Sequence, residues 1–304
     1  MEKASFSPGS LGIGRLITSA KKKKDRLLDK LVPGWTTSKI EAQLLIPKAQ
    51  ETKPVRLPRG FVQSRLNTKD GTIQIYATGN GPTVIFNHGW GGGAHQFFPL
   101  MRGLTQCGFK SIAFDHLGHG LSDAKPATLH QSIATTNFVI NMIKSNPNDG
   151  VAAIVGHSTG CIATANAVKA LIQDVPLFLV SPVFNFKLFF LRKLVRTRVD
   201  GDSIKQYANR FSKTYRRDYL KLELGRNLHR YSDVAVIAHD ESDIESPVSD
   251  SEKFCARYPL TRLLITKQYD HQRIINSESV WRGLKSTLNY DDTTANFTAD
   301  IIYM

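Results

Sequence analysis

Cysteine is scarce: Cys107, Cys161 and Cys255 are the only three in 304 residues, widely spaced and without a C-x-x-C pair. That argues against both a disulfide framework and a zinc site. Reduced, buried thiols in a cytosolic protein are the expectation. Long apolar runs are also missing. No stretch reaches the length of about 18 residues that spans a bilayer, and the richest, Pro176 to Leu191, is broken by Lys187. The first twenty residues carry Glu2 and no long apolar core, so they are not expected to act as a signal peptide. Acidic residues are few, 26 Asp and Glu against 40 Lys and Arg, for a net charge of +14.

That charge is unevenly placed. Residues 1–60 carry +8 and residues 183–230 carry +9, which leaves the remainder at −3. The basicity therefore belongs to two appendages. Lys21-Lys22-Lys23-Lys24 followed by Asp25 to Val32 has leucines at helical spacing and reads as a short basic amphipathic helix. Four lysines without interleaved aromatic rings do not point to nucleic acid. Peripheral contact with an anionic membrane surface, or a solvated arm, are the two readings left. The length suits one α/β domain carrying an arm and an insertion: an arm and linker over 1–60, a core over 61–182 and 231–304, and a basic helical lid over 183–230.

Within the core, Phe61–Asn67 and Thr72–Thr78 alternate in polarity around Lys69-Asp70-Gly71 and read as an antiparallel edge pair. Thr83-Val84-Ile85-Phe86 is a continuous β-rich run suited to a strand buried on both faces. It leads into Asn87-His88-Gly89-Trp90-Gly91-Gly92-Gly93, a loop whose glycines let backbone N–H groups turn toward a ligand. The loop lacks both the Gly-Lys-Ser/Thr ending of a phosphate-binding loop and the G-x-G-x-x-G spacing of a dinucleotide site. A helix over Phe97–Gly108, a strand over Lys110–Phe114, the loop Asp115 to Asp123 and a helix near Ala127–Ser145 follow. Such alternation implies right-handed crossovers, a mostly parallel twisted sheet with helices on both faces, and functional loops at the carboxyl ends of the strands.

The most informative stretch is Val151 to Ala170. An apolar run, then Gly156-His157-Ser158-Thr159-Gly160, then a small-residue helix-former reads as a strand, a tight turn presenting a serine, and a helix. Serine is also a favoured helix cap, so the pentapeptide alone leaves a structural role open. The order strand, His-Gly-Trp, strand, Asp115-His116-Leu117-Gly118-His119-Gly120-Leu121-Ser122, strand and Gly-His-Ser-Thr-Gly resembles the α/β-hydrolase superfamily. It is most similar to bacterial serine hydrolases of the esterase and lipase type, over roughly residues 61–290. The resemblance implies a catalytic triad in the order Ser158, Asp243, His271. Asp243 lies four residues after His239, with Asp240 as its rival. Loop carboxylates also commonly serve as turn and cap residues. His271 follows the expected strand Thr261–Thr266, where Asp270 replaces the glycine usual in related enzymes, a change that could alter the loop or give the imidazole another carboxylate neighbour.

The same resemblance implies an oxyanion hole from the backbone N–H groups of Trp90 and Thr159, and substrate contacts from His88, Gly89, Trp90, Phe184 and Phe186. In the lid segment, Phe184, Phe186, Phe189 and Phe190 give an apolar face, either over the serine or completing the core, so an apolar or aromatic ester is expected. No cofactor is expected, and no metal: His88, His116 and His119 lack the spacing of a zinc-protease pair. His116 and His119 are expected to fix their loop by hydrogen bonds, and His157 to pack against the sheet. Haloalkane dehalogenation and epoxide hydrolysis are disfavoured because those relatives use a carboxylate where Ser158 stands. Acyl transfer, carbon–carbon bond hydrolysis and a non-catalytic ligand-binding homologue stay open. Asn296-Phe297-Thr298 has the form of a glycosylation sequon in a chain expected to be cytoplasmic, or peripheral to a membrane.

Overall fold

The structure is a computed structural model that describes residues 56–123, 128–146, 150–167, 175–196, 202, 205, 223–231 and 234–290. The expected basic helix at Lys21–Val32, most of the expected lid and the sequon at Asn296 lie outside the described residues. By contact, described residues 56–189 and 223–290 fall in one unit, and residues 190–196, 202 and 205 in another. The site described below lies within the first.

The described strands are β1 (Val62–Thr68), β2 (Gly71–Thr78), β3 (Thr83–Asn87), β4 (Lys110–Phe114), β5 (Val151–His157), β6 (Leu177–Val180), β7 (Ala235–Asp240) and β8 (Arg262–Thr266). They form a single sheet in the order β1-β2-β4-β3-β5-β6-β7-β8. The first two are antiparallel, β2 is antiparallel to β4, and every later pair is parallel. The described helices are α1 (Phe98–Gln106), α2 (Leu129–Lys144), α3 (Gly160–Ala167), α4 (Phe186–Arg196), α5 (Leu224–Leu228), α6 (Val248–Arg257), α7 (Asp270–Arg273) and α8 (Glu278–Thr287). A reciprocal capping box starts α2: the Thr128 hydroxyl accepts from the Gln131 amide while the Gln131 side chain accepts from the Thr128 amide.

Strand alternation sorts the core into two layers. Val84, Phe86, Val155, Phe178, Val180 and Ala238 share one cluster with Leu104 of α1 and with Val280 and Leu284 of α8. Ile85, Ile154, Leu179 and Ile237 alternate with them and are also fully buried. On that second face Asn87 ties the end of β3 to two helices, donating to Thr164 Oγ1 at 2.9 Å and accepting from Thr136 Oγ1 at 2.9 Å. A large apolar side chain withdrawn from water this completely contributes about 1.5–3 kcal/mol before entropy is counted. With both faces covered, the loops that leave the carboxyl ends of the strands are left to carry functional groups. The register there is tight: Asn87 pairs with Gly156, His157 with Val180, Val180 with Ala238, and Asp240 with Thr266.

Candidate active site

The turn after β5 is built by what its neighbours exclude. A Cβ on Gly156 would lie 2.9 Å from Cys161 Cα, and one on Gly160 would lie 2.4 Å from the Asn87 carbonyl oxygen. Strand β5, helix α3 and the end of β3 therefore approach at backbone distance, which only glycine permits. Ser158 between them takes φ +56°, a left-handed conformation that costs of order 1 kcal/mol or more for a residue with a side chain. The amide of Ser158 donates to Val180 O at 3.0 Å, and its carbonyl accepts from Cys161 N at 3.2 Å, so the strained residue is held on both sides.

His271 Nε2 lies 2.8 Å from Ser158 Oγ, and His271 Nδ1 lies 2.7 Å from Asp243 Oδ2. The three are buried, at 3%, 3% and 5% exposure for Ser158, His271 and Asp243. An ionised carboxylate can only accept, so Nδ1 carries the proton and Nε2 is left to accept from the serine hydroxyl. Burial works against ionisation of Asp243, but hydrogen bonds from His239 and His271 outweigh it and hold the carboxyl well below the usual range. Its second oxygen accepts the amides of Glu245 and Ser246, both at 2.9 Å. His239 adds a further donor, its Nε2 standing 3.2 Å from Asp243 Oδ2 and 2.8 Å from Ser246 O while Nδ1 accepts from the Ser251 hydroxyl at 2.7 Å.

Asp240, the alternative acid, does not reach the imidazole; it faces the turn preceding His271. Asp270 keeps a left-handed backbone, φ +60°, and turns its carboxylate away from the ring, to the amides of Gln272 and Arg273 and to Arg273 Nε.

The His-Gly-Trp loop lies directly against the serine. A Cβ on Gly89 would lie 2.6 Å from Ser158 Cβ and 3.1 Å from its hydroxyl oxygen. The Trp90 amide donates to Thr159 Oγ1 at 2.8 Å, a contact that motif reading does not supply. His88 is 1% exposed with its ring turned inward, Nδ1 donating to Gly89 O at 2.8 Å and Nε2 accepting from the His116 amide at 3.0 Å. His119 bonds Leu117 O through Nδ1 and accepts from Gly91 N through Nε2. Burial drives His88 down to about 4 and His119 to about 3, so both are neutral, loop-fixing groups. His116 departs from expectation, since both of its ring nitrogens are buried without a hydrogen-bond partner among the described residues. No group of metal-ligating side chains able to hold an ion occurs among the described residues.

His157 goes further than packing. Its Nε2 donates to the carbonyl of His271 at 2.8 Å, and Gln96 Nε2 lies 3.4 Å from its Nδ1. Burial lowers it to about 3, so it stays neutral beside the imidazole of His271. Trp90 meets Phe186 edge-on at 6.4 Å, and Phe189, not singled out as a site residue from sequence, lies 6.3 Å from the His271 ring. Phe184 packs on Phe254 at 5.4 Å.

A sequence model described as the alpha/beta hydrolase fold matches residues 82–171. The chain is 35% identical over 100 residues to a 2-(acetamidomethylene)succinate hydrolase of Mesorhizobium japonicum, covering 33% of this chain and 35% of the relative. It is 28% identical over 109 residues to an epoxide hydrolase of Caballeronia sordidicola, covering 36% and 33%. These matches span only about a third of either relative's length. Among solved structures, an esterase from Exiguobacterium antarcticum superposes with a TM-score of 0.57 at 19% identity, over 75% of this chain and all of that one. Among the described residues no helix is long and apolar enough to cross a membrane.

Proposed function

We propose that this chain, matched over residues 82–171 by a model of the alpha/beta hydrolase fold, is a serine hydrolase that cleaves a carboxylic ester or related acyl bond through Ser158, His271 and Asp243. The observation that carries the reading is the unbroken line of hydrogen bonds from Ser158 Oγ through His271 to Asp243, at 2.8 and 2.7 Å, on a serine held at positive φ. A hydroxyl alone is a weak nucleophile at neutral pH and needs such a base. His271 Nε2 takes the Ser158 proton as Oγ attacks the acyl carbon, and the carbonyl electron pair moves onto its oxygen. Asp243 stabilises the imidazolium that forms. Collapse of the tetrahedral adduct breaks the bond to the leaving alkoxide, which receives the proton from His271. Water repeats the cycle on the acyl-serine and releases the acid.

The developing oxyanion sits between the amides of Trp90 and Thr159, and each such donor is worth on the order of 3 kcal/mol in the transition state. The entering oxygen takes the Trp90 N–H over from the Thr159 hydroxyl, which accepts it at 2.8 Å in the free protein. A hydroxyl at position 158 also disfavours epoxide opening, which in that branch of the superfamily uses a carboxylate nucleophile. The rings of Trp90, Phe186 and Phe189 favour an apolar or aromatic group on the substrate. Hydrolysis of p-nitrophenyl esters from acetate to decanoate, with fluorophosphonate labelling, tests the reading. Wild type should turn over and label while Ser158→Ala does neither; a folded wild type that does neither overturns it.

A further inference from the structure

The turn that carries His271 is costly as drawn by its own residues. Gln268 and Asp270 stand at φ +72° and +60° without being glycine, each at a cost of order 1 kcal/mol or more. Asp270 offsets part of this itself through the amides of Gln272 and Arg273, at 2.9 and 3.0 Å. The rest is supplied from the neighbouring strand. Asp240, the last residue of β7, is fully buried at 0% exposure. Its Oδ2 accepts the Thr266 hydroxyl at 2.7 Å and the Tyr269 amide at 3.1 Å; its Oδ1 accepts the Asp270 amide at 3.3 Å, the Ser242 amide at 2.9 Å and the Ser242 hydroxyl. One carboxylate thus grips the end of β8, the turn entering His271 and the loop that continues to Asp243.

On the reading of Ser158, His271 and Asp243 as a triad, we propose that Asp240 is a positioning residue that sets the His271 and Asp243 loops against one another without touching either side chain. Its geometry has no other use for so many donors: a buried carboxylate is satisfied by fewer, and these come from the segments whose separation fixes the bond from His271 Nδ1 to Asp243. The donors also keep the group ionised, its pKa held to about 2 although burial opposes that. A displacement of about 1 Å at the base is enough to cost on the order of a hundredfold in rate.

The test compares wild type, Asp240→Ala, Asp240→Asn and Thr266→Val, the last removing a single donor and sparing the carboxylate. Two readouts are taken on chains shown to be folded by circular dichroism: the saturable rate of fluorophosphonate labelling, and the ring 15N shifts of His271, assigned against His271→Gln. Asp240→Ala should label ten- to a hundredfold more slowly with unchanged half-saturation, and its His271 should move from a single Nδ1–H tautomer to an averaged one. Asp240→Asn should fall between, and Thr266→Val should slow labelling three- to tenfold; this variant decides the matter if Asp240→Ala does not fold. An Asp240→Ala, or in its place a Thr266→Val, that labels within twofold of wild type and keeps the wild-type tautomer overturns the proposal. If wild type itself fails to label, the serine-hydrolase reading falls while the His271 tautomer still decides the role of Asp240.

Discussion

Replacing Asp243 by asparagine removes one charge and almost no volume, and the structure leaves the amide no acceptable orientation. Oδ1 accepts two backbone amides at 2.9 Å, and Oδ2 accepts His271 Nδ1 at 2.7 Å with His239 Nε2 at 3.2 Å. With its NH2 toward Glu245 and Ser246, the asparagine sets a donor against two donors, at about 1–3 kcal/mol for each group left unsatisfied. Turned the other way, it drives His271 to the Nε2–H tautomer and removes the lone pair that receives the Ser158 proton. The imidazolium also loses its counter-charge: at about 5 Å between charge centres and an effective dielectric of about 20, that is about 3 kcal/mol. Together these predict a loss of roughly a thousand- to ten-thousandfold in kcat/KM, carried by kcat. The assay is p-nitrophenyl butyrate hydrolysis and fluorophosphonate labelling at constant pH, with melting followed in parallel. An Asp243→Asn enzyme within tenfold of wild type, or one less impaired than Asp240→Asn, would refute the assignment of the two carboxylates.

Further perturbations read other parts of the site. Ser158→Ala should abolish labelling and turnover while shifting Tm by no more than a few degrees; labelling that persists would place the nucleophile elsewhere. His157→Phe, which deletes the donor to the His271 carbonyl, should slow labelling about ten- to a hundredfold through an unsatisfied buried carbonyl worth about 1–3 kcal/mol, and equal rates would reduce His157 to packing. Gly160→Ala, whose Cβ would meet the Asn87 and His88 carbonyl oxygens at 2.4 and 2.6 Å, should destabilise the chain by about 1–3 kcal/mol, measured by denaturant titration. Acid should weaken the fold in two stages. His88, His119 and His157 have folded pKa values lowered by burial to about 4, 3 and 3, so the unfolded chain binds the extra protons and stability falls from about pH 6.5 downward, at about 1.4 kcal/mol per pH unit per histidine. Asp240, lowered to about 2, contributes stability present above the unfolded value near 4 and lost as pH falls through 2. A Tm that is flat from pH 7 to 5 would contradict the first stage.

The alternation of strands and helices, the glycine-flanked serine and the order of the later loops were readable because each is local: a period, a turn residue, a short motif. Edge strand and crossover strands begin within a residue or two of their expected positions, as with Thr72–Thr78 against the observed Gly71–Thr78. Strand β7 runs through His239 and Asp240 because those residues pair with Ile265 and Thr266 of a strand that follows much later in the chain. The same long-range pairing hides the brace: nothing within the stretch from His239 to Asp243 indicates that Asp240 points to the amides of Tyr269 and Asp270. The hydrogen bonds of His88 and His157 are hidden for a related reason. A buried histidine can serve as filler, ligand or hydrogen-bond strut, and only its partners, here the His116 amide and the His271 carbonyl, decide which.

The register of the parallel strands has a consequence for how such a protein changes over time. Asn87, Gly156, Leu179, Ile237 and Leu263 are linked pair by pair across adjacent strands, and Ser158, Asp243 and His271 follow on from three of those strands. β6 ends at Val180 and β7 begins at Ala235, and doubling the length of a connection between strands adds only about 0.6 kcal/mol of closure entropy. Drift in the sequence between those strands therefore leaves the spacing of the reacting atoms inherited unchanged. A single residue inserted inside a strand has the opposite effect, turning every following side chain to the other face.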